Sequence, residues 1–238
     1  MCSQQNIHVA SAIIAALVTI LQPFPAFTDD ANVLVQNGVS AYHIALQEGA
    51  SPSEKHAAEE FQYFFKACTG VTLPIQEVTG VTETPMILLG CGPVARELGV
   101  APDKEALGEQ GYYMKTVVPH LVIAGTPEAG TLYGVYDFLE NRLGVRWYAT
   151  DETKTPETDT LALPQEDGLR KPVIQWRHTS YAWPGRDETF QARVRENHGE
   201  GGADHPYGIQ HSHDGRCHSY FRFISPDEYF DEHPEYFS

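Results

Sequence analysis

The sequence predicts an α+β protein, a mixed β-sheet with helices packed on one face, followed by a second module. Three observations carry that expectation. Two helices have complete start and stop signals, short β-rich runs bounded by turn residues lie between them, and the composition changes near residue 168. The domains read as a leader over 1–27, an α/β domain over 28–168, and a second module over 169–238.

The chain opens on an apolar run from Val9 to Leu21, closed by Gln22-Pro23-Phe24-Pro25-Ala26 and the polar Thr28-Asp29-Asp30. That pattern predicts a signal peptide and hence a secreted or periplasmic protein. The run is short for a bilayer span, so no stable membrane span is expected once the leader is removed. No Lys or Arg precedes Val9, and an uncleaved anchor and a buried helix are the alternatives.

The first helix is announced by Ser51-Pro52-Ser53-Glu54, which supplies an N-cap, a proline at the first helical position and a capping-box glutamate. Ala57, Ala58, Phe61, Phe64, Phe65 and Cys68 then recur at helical spacing, and Gly70 offers the left-handed stop. The second helix is expected from Thr126-Pro127, with Leu132, Val135, Tyr136, Leu139 and Leu143 as its stripe and Gly144 as its end. Strands are expected at Ala41 to Leu46, Thr72 to Gln76, Met86 to Leu89, Gly111 to Val118, His120 to Ala124 and Val145 to Tyr148. Val118-Pro119-His120-Leu121 reads as a tight antiparallel link.

Gly125, Gly130 and Gly134 follow a strand and open a helix, the arrangement that cradles phosphate in nucleotide-binding folds. Their spacing fits neither a dinucleotide nor a P-loop fingerprint. Gly130 and Gly134 are four apart, and close approach of helix to sheet accounts for both. No cofactor is expected.

Charge and cysteine usage narrow the partners. Sixteen basic against thirty-two acidic residues give a net charge of −16, and no basic stretch exists to track a phosphate backbone. Nucleic acid is excluded as the expected partner. Loss of Cys2 with the leader leaves Cys68, Cys91 and Cys217, an odd number that argues against a disulfide framework, and Cys68 and Cys91 read as buried small residues.

The run Ile123-Ala124-Gly125-Thr126-Pro127-Glu128-Ala129-Gly130-Thr131-Leu132-Tyr133-Gly134-Val135-Tyr136-Asp137-Phe138-Leu139-Glu140, closing in Leu143-Gly144-Val145-Arg146-Trp147-Tyr148, resembles the end of one particular accessory domain. That domain precedes the catalytic barrel in β-N-acetylhexosaminidases of glycoside hydrolase family 20 and α-glucuronidases of family 67. Ala57-Ala58-Glu59-Glu60-Phe61 and Thr69-Gly70-Val71-Thr72-Leu73-Pro74-Ile75 are similar to its first helix and strand. The resemblance spans about residues 40 to 150 and implies a glycan or oligosaccharide partner.

From Thr150 to Pro172 the chain turns to Asp, Glu, Thr and Pro, with Asp151-Glu152-Thr153-Lys154-Thr155-Pro156 as the clearest linker signal. Asp151 and Glu152 are adjacent, so in extended chain their carboxyls point apart and do not face one glycosidic bond. Lys171-Pro172-Val173-Ile174-Gln175-Trp176-Arg177-His178 then reads as a strand. In the families just named the first barrel strand begins in this way, and the resemblance implies that Arg177, at its end, reaches sugar hydroxyls. The competing reading of Arg177 is an ion pair at the surface or between domains.

His198, His205, His211, His213, His218 and His233 crowd the last segment among glycines and aromatics. His211-Ser212-His213-Asp214 with Cys217-His218 offers H-x-H chemistry to a transition metal, although no zinc-finger or H-E-x-x-H spacing is present. Alternatively, imidazoles such as His211 and His218 line a sugar pocket with Trp183, Tyr207 and Tyr220. Ordinary loop histidines are the third reading. The favoured expectation is sugar contact by Arg177, His211 and His218, with no metal.

Ile224-Ser225-Pro226-Asp227-Glu228 predicts one more short helix, ending before Pro234, whose acids act as helix-end charges. The closing His233-Pro234-Glu235-Tyr236-Phe237 resembles a signature of the bacterial family catalogued as domain of unknown function 4838. The resemblance implies that 28–168 is the accessory α/β domain and that 169–238 is the start of an incomplete (β/α)8 barrel, which needs about 250 residues, so no complete catalytic pair is expected here. The resulting expectation is part of a glycoside hydrolase-like protein, α-glucuronidase or hexosaminidase-like. A non-catalytic glycan-binding module and a metal-dependent hydrolase are the alternatives.

Overall fold

The computed structural model describes residues 33–177, 187–197 and 220–237. The leader, His211, Cys217 and His218 lie outside the described residues.

The chain enters through β1 (Val33–Val35) and β2 (His43–Gln47), then α1 (Pro52–Thr69). The capping box forms as the sequence predicts: Ser51 N–H donates to Glu54 Oε2 at 2.8 Å, and Ser51 Oγ accepts from Glu54 N–H at 3.1 Å. Gly70 closes the helix at φ 75°, a left-handed conformation that glycine adopts without a Cβ penalty. β3 (Ile75–Val78), β4 (Met86–Leu89), α2 (Pro93–Glu97), α3 (Lys104–Leu107), β5 (Tyr112–Val117) and β6 (His120–Gly125) follow. The second long helix, α4, runs Gly130–Arg142, and β7 (Arg146–Ala149) follows it.

The helix therefore starts four residues later than Thr126. Thr126 Oγ1 donates to Glu109 O at 2.7 Å and accepts from Gly130 N–H at 2.8 Å, so Thr126 shapes the turn ahead of the helix and satisfies its first N–H from outside it.

The main sheet has the order β10-β5-β6-β4-β2-β3, with β3, β2, β4 and β6 parallel, and β5 and β10 (Asp167–Arg170) antiparallel to their neighbours. The central strands are buried on both faces, as parallel strands require. Ile44, Ile87, Leu89, Leu121 and Ile123 face α1 and α4 in the larger core, where Phe61 and Phe138 meet at 5.1 Å between ring centroids. Ala45, Leu88, Val122 and Ala124 form a second core with Val94 and Ala95 of α2. The two long helices share one face of a mixed sheet, and short α2 covers part of the other.

The glycine reading holds. A Cβ on Gly134 would lie 2.5 Å from Ile123 Cγ2 and 3.0 Å from the Tyr112 ring, so α4 rests on the sheet at a distance only glycine permits.

The segment read as a linker is more structured than its composition suggests. β8 (Glu152–Lys154) pairs with β7, β9 (Leu161–Ala162) pairs with β1, and β10 adds an edge strand to the main sheet as far as Arg170. Residues 171–177, by contrast, form no strand, contrary to expectation. Pro172 lacks a ladder donor, and side chains take the carbonyls a ladder would use: Gln110 and Asn197 bond Gln175 O, and Arg177 bonds Ile174 O. α5 (Glu188–Arg193) follows, with Asp187 Oδ1 accepting from Phe190 N–H at 2.9 Å as its cap. α6 (Tyr220–Phe223), α7 (Pro226–Tyr229) and a 3-10 turn (Pro234–Phe237) complete the described chain.

Cys68 is buried and Cys91 exposed, which corrects the expectation that both are buried. Cys91 sits past the end of β4, beyond the core that ends at Leu89. Among the described residues, no helix is long and apolar enough to cross a membrane.

Candidate functional site

Glycosidase chemistry needs two carboxyls free to face one bond, so the buried carboxylates are the first groups to locate. Glu54 belongs to the cap of α1; burial raises its pKa, and the bonds from Ser51 and Thr131 oppose the rise. Glu60 is held by Arg193 (Nε to Oε2 2.7 Å, Nη2 to Oε1 2.9 Å), with the Tyr136 hydroxyl donating to Oε2 at 3.3 Å. Glu166 binds Arg142 and, at 2.9 Å, Arg170, which also reaches Asp137. Glu196 is buried with neither carboxylate oxygen bonded. Three of the four are committed to holding the fold. Asp151 and Glu152 are both exposed, Asp151 in the turn before β8 and Glu152 at its first position, whereas the sequence predicts a solvated turn for both.

Arg177 stands where the chain leaves the sheet, its guanidinium 5.5 Å from the centroid of the Tyr133 ring on α4. Nε donates to Arg195 O at 2.7 Å, Nη1 to Ile174 O at 2.6 Å and Gln175 O at 3.4 Å, and Nη2 to Gln110 Oε1 at 2.7 Å. Its backbone N–H is taken by Asn197 Oδ1 at 2.7 Å. Arg195 in turn pairs with Glu140 of α4 at 2.5 Å. Gln110, Arg177, Arg195 and Asn197 thus tie residues 171–177 and 187–197 to α4. Burial of Tyr133 raises its hydroxyl pKa, and the nearby Arg177 charge works against the rise.

Sequence reasoning placed Arg177 at a junction but missed Gln110, Glu60 and Arg193. Their only signal was a Glu and a Gln at positions the burial pattern makes apolar. His211 and His218, the other expected sugar contacts, lie outside the described residues. No group of His, Cys, Asp and Glu able to hold a metal occurs among the described residues. In the final segment Asp227 and Glu228 lie exposed in the first turn of α7, and His233 Nδ1 is 3.1 Å from Glu235 Oε1.

An α1–α4 pair on a mixed sheet, with α4 seated through Gly134, is the arrangement the sequence resemblance implies. Residues 29–138 match the glycosyl hydrolase family 67 N-terminus. The family 67 match ends inside α4, and residues 147–238 match a second model, domain of unknown function 4838. A similar solved structure is a family GH115 4-O-methyl-α-glucuronidase with specificity for decorated arabinogalactans, at 17% identity and a TM-score of 0.53 over 74% of this chain. The chain spans 29% of that enzyme's length, and the likeness is one of fold. A GH20 β-N-acetylhexosaminidase from Streptomyces coelicolor A3(2) also aligns, at 16% identity and a TM-score of 0.36 over 62% of this chain and 26% of the enzyme. No curated protein sequence matches the chain. The accessory-domain resemblance seen in the sequence is met by the family 67 match, and the resemblance of the closing segment by the match to domain of unknown function 4838.

Proposed function

We propose that this chain is the N-terminal part of a secreted glycoside hydrolase-like protein acting on glycans, with α-glucuronidase or hexosaminidase-like chemistry. The observation that carries the reading is the family 67 N-terminal match over residues 29–138. The described carboxylates support an accessory role for this part: Glu54, Glu60 and Glu166 serve the cap and the ion pairs. The acid and the base or nucleophile of hydrolysis are then supplied by residues outside 1–238. His211 and His218 are proposed glycan contacts, and Arg177 has one N–H left to offer a sugar oxygen beyond its four protein acceptors.

A glycan array combined with hydrolysis assays on aryl α-glucuronides and N-acetylhexosaminides tests the proposal. The 238-residue chain is expected to bind acidic or acetylated glycans without turnover, weakened by His211→Ala. Turnover by this chain alone overturns the accessory role, and absence of binding to every glycan overturns the substrate contacts. Binding without turnover by the intact protein favours the non-catalytic glycan-binding module.

A further inference from the structure

The parallel strands end at a crevice. β4 and β6 are neighbours running the same way, yet the chain leaves them towards opposite faces: β4 leads to α2, which packs on Leu88 and Val122, and β6 leads to α4, which packs on Ile87 and Ile123. Open sheets bind ligands where connections part in this way, outside the carboxyl ends of the strands. At the neighbouring divergence, between β2 and β4, Gln47 fills the gap itself, donating to Gly90 O at 2.8 Å and accepting from Val94 N–H at 2.9 Å. Between β4 and β6 the strand ends are joined by Gly90 N–H donating to Ile123 O at 2.9 Å, and the space on the α2 side stays open. A volume of about 390 Å³ remains there, lined by Cys91, Arg96, Lys104 and Glu128 with Val100 and Leu107 as an apolar wall. That size lies within the usual ~300–1,000 Å³ of small-molecule pockets.

The charges in the crevice are unspent. Arg142, Arg146, Arg170, Arg177, Arg193 and Arg195 all bond protein oxygens. The Arg96 side chain, alone among the arginine side chains described, makes no hydrogen bond or ion pair, and neither does the side chain of Lys104 beside it. In a chain of net charge −16, two cations free of carboxylates on one wall form a local positive field. Arg96 offers a planar fork that suits a carboxylate, and Lys104 a point charge. Glu128 on the same rim accepts hydroxyl donors and repels multiply charged anions such as phosphate. Val100 and Leu107 suit C–H groups.

We propose that the crevice between the ends of β4 and β6 binds a hydroxylated monocarboxylate, held by Arg96 and Lys104 at the carboxylate and by Glu128 at the hydroxyls. Sugar acids are the members of that class used as probes, and that choice rests on the glycan reading above. Arg177 does not line this crevice.

Calorimetric titration of the 238-residue chain with gluconate and galacturonate tests it, with glucose, acetate and inorganic phosphate as comparisons. Saturable binding of the sugar acids is expected, about tenfold or more weaker in Arg96→Ala and in Lys104→Ala, each replacing a charge-assisted hydrogen bond. Both residues are exposed, so thermal unfolding of the variants serves as the check that the fold is kept. Bound galacturonate should also slow iodoacetamide labelling of Cys91, read by peptide mass spectrometry, and leave Cys68 labelling unchanged. No saturable binding, equal binding of glucose or phosphate, or affinity unmoved in both variants would each overturn the site. Failure of the intact protein to act on glycans would strike the proposed function and leave gluconate binding at the crevice standing.

Discussion

Arg193 grips Glu60 through two hydrogen bonds, 2.7 and 2.9 Å long, across 133 residues of sequence. The pair joins α5 to α1 on the face that also holds α4. The Arg193 guanidinium lies 5.0 Å over the Phe64 ring, and the Tyr136 hydroxyl completes the carboxylate's bonding. Arg193→Ala would leave Glu60 buried against Tyr136 alone, and removing one partner of such a pair costs about 3–5 kcal/mol. Urea unfolding should report that loss. Glu60→Gln combined with Arg193→Ala should cost less than the sum of the single changes, because the double variant strands no charge.

Gly134 supplies a sharper test of how α4 is seated. Gly134→Ala places a methyl group against Ile123 and Tyr112, and such overpacking costs about 1–3 kcal/mol. Gly168→Ala meets nothing within 4 Å and serves as the neutral comparison. A thermal shift for Gly134→Ala no larger than for Gly168→Ala would contradict the close approach of helix and sheet.

Ser51 holds both ends of the capping box of α1 and also donates to Pro127 O at 2.5 Å, in the turn before α4. Ser51→Ala is expected to lose about 1 kcal/mol by denaturant titration. Ser51→Asp keeps an acceptor for the Glu54 N–H and should retain most of that stability.

Burial lowers the pKa of His43, His56 and His120 below the ordinary 6.5. In the unfolded chain these imidazoles take up protons as the pH falls through about 6.5, while in the folded chain they stay neutral until the pH reaches their lowered values. Their contribution is therefore complete above pH 6.5 and is lost as the pH falls from there through the folded pKa values. Unfolding free energy measured from pH 7.5 to 5 should decline over that window, and His120→Asn should flatten the decline.

Cys91 is exposed, and its thiol is expected to react slowly. Burial of the thiol and the nearby Glu54 charge raise its pKa to about 11, against the opposing charges of Arg96 and Lys104. Only the thiolate attacks an alkylating reagent. Labelling near pH 7.5 should thus be slower than for a model thiol and rise steeply up to pH 10, and a fast thiol at neutral pH would contradict the environment described.

Local chemistry fixed the parts of the fold that the sequence could reveal. Ser51, Glu54 and Gly70 delimit α1 because capping bonds and the left-handed stop act within a few residues, and Met86–Leu89 reads as a strand from its own apolar run. Gly130 and Gly134 were legible as a close-packing face for the same reason. The tertiary structure alone decided what depends on distant partners. Residues 171–177 have strand-like composition, yet Gln110, Arg177 and Asn197 take their carbonyls, and no local signal announces side chains that arrive from far along the chain. The same holds for Glu60 with Arg193, and for the crevice, where Cys91, Arg96, Lys104 and Glu128 meet only because β4 and β6 are neighbours whose chains part to opposite faces. Capping and periodicity are short-range and written in the sequence, whereas ion pairs and cavities exist only once the sheet order is set.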